Sequence, residues 1–154
     1  MRQSLLSWRM ADPKNLRVLE AALQFAVAVH EHIDVLDVTR APRIRAQLLR
    51  AVDSVPANIA EGARGSRAQF AKHLRIARGS ADEVAVHLRI ARDAGAFEDR
   101  EYWRCENKRV IVCKMLTRML YALDEEEART LDRDRRDTSL PAVTFSVSPS
   151  RRHT

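Results

Sequence analysis

Ser66 and Gln69, followed by Phe70, Leu74, Ala77, Ala81, Val84, Leu88 and Ala91, constrain this chain more than any other stretch. The apolar residues recur in alternating steps of four and three. A strand would bury every second residue, whereas this rhythm keeps one side of an α-helix against its neighbours. Ser followed three positions later by Gln is a capping box, in which each side chain satisfies the other residue's backbone N–H. The helix is predicted to start after Ser66 and to close at Gly95, a residue suited to the left-handed turn that ends helices. A seam of this length needs other helices to cover it.

Three further helical segments are predicted. The first runs from about Pro13, behind an Asp12 cap, to Val38, with Leu16, Leu19, Leu23, Ala26 and Ile33 in register. The second runs from Pro42 to Glu61, with Ile44, Leu48, Val52, Val55 and Ile59 as its apolar side and Gly62 and Gly65 beyond its end. The fourth runs from about Asp99 to Glu126, with Tyr102, Val110, Cys113, Leu116, Leu120 and Leu123 apolar. Short links between long helices favour antiparallel neighbours, so the expected fold is an all-α, up-down four-helix bundle over residues 13–126. Residues 1–12 are expected to be a loose extension and 127–154 a disordered tail, because neither keeps an apolar period.

Several functional classes fall away. Cys105 and Cys113 lie eight residues apart on one helix, ~12 Å of rise, too far for a disulfide. No His stands near them at metal-ligand spacing, and Glu83 with His87 is a lone pair where a di-iron bundle needs two. A Gly-rich phosphate loop and a nucleophile–base pairing are both lacking, so neither catalysis nor a cofactor is expected. Met1 to Met10 lack the apolar core of a signal peptide, and Ala21 to Val29 is too short to span a membrane; a cytoplasmic location is expected.

Charge points to a binding role. The chain carries +6 overall, and Thr39 to Ser80 holds nine basic residues against Asp53 and Glu61. Such a field attracts polyanions or acidic protein faces. On the third helix Arg67, Arg78 and Arg89 are spaced by eleven, close to three turns, with Arg64, Arg75 and Arg92 near the same row. Together they predict a basic stripe ~40 Å long, able to follow a nucleic-acid backbone without reading bases. Arg43 and Arg45, at the start of the second helix, are further candidate nucleic-acid contacts. The competing expectation is that these guanidinium groups bridge to acidic residues of the fourth helix or of another subunit. Ser54, Asn58 and Glu61 share one side of the second helix, opposite Gly79, Ser80 and Glu83. A buried network that fixes helix register is favoured there over an active site.

The segments Gln47 to Ala51, Ser54-Val55-Pro56-Ala57-Asn58-Ile59-Ala60-Glu61-Gly62, Phe70, and Ile76-Ala77-Arg78-Gly79-Ser80 with Glu83 carry a family likeness. The chain resembles the bacterial four helix bundle protein family over roughly residues 16 to 123. That family includes proteins encoded in intervening sequences of large-subunit ribosomal RNA and relatives of the accessory variability determinant of diversity-generating retroelements. The resemblance implies a homopentameric ring and, in the retroelement branch, binding to a reverse transcriptase and nucleic acid. It assigns mainly fold-building roles to Arg50, Ser54, Asn58, Glu61, Gly62, Gly79, Ser80 and Glu83. Two departures stand out: Leu19 where the family often has Trp, and Ala41-Pro42-Arg43 where it often has Phe-Pro with a nearby Glu. A protein-interaction scaffold without a direct nucleic-acid role is the alternative function.

Overall fold

A computed structural model describes residues 13–137, with side chains over 17–136. It contains α1 (Pro13–His32), a short 3-10 turn (Ile33–Val35), α2 (Ile44–Gly62), α3 (Arg67–Asp93) and α4 (Asp99–Asp137). Cross-helix pairs set the topology. His30 meets Asp53 and Asp34 meets Arg45, so α1 and α2 run antiparallel. Ser54 meets Ser80 and Asn58 meets His73, so α2 and α3 do the same. Arg92 with Asp99, Asp82 with Arg109 and Arg78 with Thr117 turn α4 back along α3. The Cys105 thiol lies 3.7 Å from the Ala28 carbonyl, which closes α4 onto α1. The result is the up-down four-helix bundle, held within the compact unit that ends at Leu123.

Every residue of the α3 seam is buried, and six of the seven are fully so. Both capping-box bonds form: Gln69 N donates to Ser66 Oγ at 3.2 Å, and Ser66 N donates to Gln69 Oε1 at 2.7 Å. At the other end Gly95 N donates to Arg92 O and Ala96 N to Ala91 O, the paired bonds of a Schellman cap. Gly95 sits at φ +67°, and a Cβ there would lie 2.8 Å from Arg40 Nη1, so both backbone and packing demand glycine. The predicted α2 register holds: Ile44, Leu48, Val52, Val55 and Ile59 are all buried.

Two predicted features shift. The α1 helix stops at His32, and its buried side is Val18, Ala22, Phe25, Ala26 and Val29, whereas Leu23 is 45% exposed. This helix has apolar residues on two adjacent sides, and the side carrying Phe25 wins because an aromatic ring removes the most area from water. The α4 helix runs past Glu126 to Asp137. Its residues from Asp124 onward form part of a separate unit and are exposed. Pairs four apart, Glu125 with Arg129 and Asp132 with Arg136, supply local support where apolar spacing gives none. The expectations for residues 1–12 and 138–154 lie outside the described residues. Among the described residues, no helix is long and apolar enough to cross a membrane.

Candidate nucleic-acid interface

The α3 arginines split into two groups. Arg67, Arg78 and Arg92 are half-buried and grip α4. Arg67 Nη2 donates to the Leu123 carbonyl at 2.7 Å. Arg78 Nη1 donates to Thr117 Oγ1, and its Nε faces Asp82 at 3.2 Å. Arg92 Nε donates to Asp99 at 2.6 Å, and its guanidinium lies 4.8 Å from the Tyr102 ring centroid. The bond to Asp99 raises the Arg92 pKa above its usual value. Arg64, Arg75 and Arg89 face outward, with Arg89 paired to Asp93 at 2.8 Å. The predicted open stripe is therefore in large part a set of clasps between α3 and α4. Arg45 is tied to Asp34 across the α1–α2 corner, where Arg43 is exposed; neither joins the α3 row.

The positive surface moves instead to a groove between α3 and α4. Arg78 and Asp82 line one wall, and Arg109, Lys114, Thr117 and Arg118 line the other. Four cations thus face a single carboxylate. Thr117 donates to the Cys113 carbonyl at 2.8 Å, leaving its hydroxyl oxygen to accept from Arg78. Arg109, with its side chain 14% exposed, forms a two-pronged pair with Glu106 at 2.6 and 2.7 Å. The bond it donates to Glu106 is the largest cause holding the Arg109 pKa above its ordinary range. Lys114 and Arg118 are exposed, one turn apart, and form no ion pair among the described residues. Sequence reasoning missed Arg109, Lys114 and Arg118. Their signal is steps of five and four on α4 beside Thr117, which by itself also fits a solvated helix side. The arrangement offers point charges and a forked guanidinium to phosphate oxygens.

The α2–α3 motif is half interior and half exterior. Asn58 Nδ2 donates to Ser54 O at 2.8 Å and to Ser54 Oγ at 3.0 Å, and Ser54 Oγ lies 3.0 Å from Ser80 Oγ. His73 Nδ1 lies 3.0 Å from Asn58 Oδ1, so this nitrogen carries the proton and donates. Each member of this chain locates one helix against the other. Gly62 lets His73 pass: a Cβ on it would lie 2.6 Å from His73 Cβ. Arg50, Glu61 and Glu83, by contrast, point to solvent, with Glu83 3.4 Å from His87 and Glu61 4.0 Å from His73. Gly79 departs from its predicted role of bringing α2 and α3 close. It is exposed, and a Cβ there would meet nothing within 4 Å.

Thiol chemistry finds little support. Burial pushes the Cys105 thiol up to about 12, and burial likewise raises Cys113. Both stay protonated and weakly nucleophilic at neutral pH. No group of three or more His, Cys, Asp or Glu residues able to hold a metal occurs among the described residues.

The fold and the groove define an antiparallel four-helix bundle with a basic groove between α3 and α4. The chain belongs to the 23S rRNA-intervening sequence protein family, whose model matches residues 14–118. It is also similar to a solved structure from Bacteroides thetaiotaomicron, a protein of unknown function from the S23 ribosomal protein family. That likeness has 26% identity and a TM-score of 0.64, and covers 70% of this chain and 98% of the other. No curated protein matches the chain.

Proposed function

We propose that the chain is a non-enzymatic subunit that binds the phosphate backbone of nucleic acid along the α3–α4 groove. The observation that carries this reading is the four-to-one excess of cations over carboxylates lining that groove, with Lys114 and Arg118 unopposed. Binding of this kind releases counterions, so affinity should fall by about 0.9 log units per log unit of salt for each duplex phosphate contacted. Lys114→Glu combined with Arg118→Glu removes two contacts without touching the clasps that hold α4. Affinity for a mixed-sequence duplex in low salt is expected to drop at least tenfold, and the salt slope to shrink by about two contacts. Wild-type affinity in this double variant rejects the proposal. Within this reading a reverse transcriptase is the protein partner that the family resemblance implies, and co-purification with that enzyme is its check.

A second reading, a protein scaffold built from copies of this chain, is favoured by the outer side of α3. Ile76, Val86 and Ile90 are 42%, 56% and 47% exposed there, on the same side as Gly79 with its open space. A glycine with no neighbour inside its own chain suits the close crossing of a helix from another copy. Val86→Asp would then reduce the mass seen by light scattering; an unchanged mass removes this reading.

A further inference from the structure

Trp103 and Tyr121 lie eighteen residues apart on α4, with Lys114 between them at steps of eleven and seven. At about 100° per residue the three fall within ~20° of one line along the helix, and Asn107 and Arg118 fall within ~60° of it. Both aromatic rings face water: Trp103 is 48% exposed and Tyr121 68%. Trp103 is nevertheless held in place. The Tyr102 ring meets it edge-on, with centroids 5.0 Å apart at 79°, and the Arg92 guanidinium lies over it at 5.6 Å. From Arg100 to Leu123 the acidic residues are Glu101 and Glu106. Each is engaged, Glu101 by Arg100 at 2.9 Å and Glu106 by Arg109. Neither Lys114 nor Arg118 forms an ion pair among the described residues, and Arg104 meets His32 at 3.3 Å.

Exposed rings flanking unpaired cations match the chemistry of a single strand. Unpaired bases offer π-faces that stack on aromatic side chains, and the phosphates between them take the charge. A duplex keeps its bases inside and can use only the charge. We propose that the outward side of α4 binds single-stranded nucleic acid, with Trp103 and Tyr121 stacking on bases and Lys114 and Arg118 contacting the phosphates between. The two rings are separated by ~27 Å of helix, a span of several nucleotides. This inference rests on the groove reading and adds the strandedness of the ligand.

The test uses the full chain carrying Trp8→Phe, which leaves Trp103 as its sole tryptophan. Oligo-dT of ten nucleotides, oligo-U of the same length and a blunt twenty-base-pair duplex are titrated against its fluorescence. Both single strands are expected to quench Trp103, and the duplex to bind with little quenching. By polarisation of end-labelled strands, Trp103→Ala and Tyr121→Ala should each weaken single-strand binding about tenfold while duplex affinity stays within twofold. Trp103→Phe, which keeps a ring, should recover most of the loss and so separates stacking from misfolding. Full single-strand affinity in Trp103→Ala, with binding still lost in the Lys114→Glu, Arg118→Glu variant, overturns stacking and leaves the groove reading standing. Trp103 emission that changes with protein concentration alone means a second copy covers this side, and also overturns stacking. If neither strand form binds the wild-type chain, both readings fall together.

Discussion

Glu106→Ala should lower folding stability by about 2–3 kcal/mol and the melting temperature by roughly 10 °C. The side chains of Glu106 and Arg109 are each only 14% exposed, and the pair is joined by two short bonds. Removing one partner strands a guanidinium that has already given up most of its water, which in a fully buried pair costs ~3–5 kcal/mol. The lower figure applies here because Arg109 keeps two weaker contacts, Cys113 Sγ at 3.3 Å and Asp82 at 3.5 Å. Replacing both residues with apolar ones of similar length, Glu106→Leu with Arg109→Met, should restore much of the loss, since no charge is then left unpaired. Thermal denaturation of the two single variants and the double variant completes the cycle. A Glu106→Ala protein that melts with the wild type would show that water reaches this pair freely.

Two glycines should respond to alanine with opposite signs. At Gly62 the added methyl would sit 2.6 Å from His73 Cβ and 3.2 Å from Phe70 Cδ2. The His73 Cβ is fixed to its backbone and cannot rotate aside, so α2 and α3 must separate. That overpacking costs about 1–3 kcal/mol, more than the gain in helix propensity at the last residue of α2. It also stretches the Asn58–His73 bond, which lies one turn away. At Gly79 the methyl meets nothing, so alanine there should stabilise the isolated chain by up to ~1 kcal/mol. Urea titrations of the two variants check the pair. Equal effects would mean that the glycines differ in neither packing nor backbone demand.

Much of the bundle was legible because its signals are local. The α3 seam, the Ser66–Gln69 box and the Gly95 terminator each act within a few residues, and each appears as the spacing predicts. The α1 register was not legible, because Leu19 and Leu23 compete with Val18 and Phe25 and only the packed helices decide between them. The end of α4 was missed because ion pairs four apart carry no apolar period. For the site, the row of α3 arginines was visible but its use was not. Arg78 meets Thr117 thirty-nine residues later and Arg67 meets Leu123 fifty-six later. No spacing within one helix shows whether a guanidinium faces water or a neighbouring carbonyl. Lys114 and Arg118 become a site only once Arg78 is placed beside them.

The α4 helix rests on different forces along its length. Around Cys105, Val112 and Leu116 the core encloses it, while from Asp124 to Arg136 every side chain is exposed. A helix of about that length has marginal stability in water. Amide hydrogens near Leu116 should therefore exchange with solvent only when the whole bundle opens, and those beyond Asp124 through local fraying. A single secondary-structure element thus spans nearly the full range of lifetimes that the protein can display, and a protease would find its first cut inside a helix rather than in a loop.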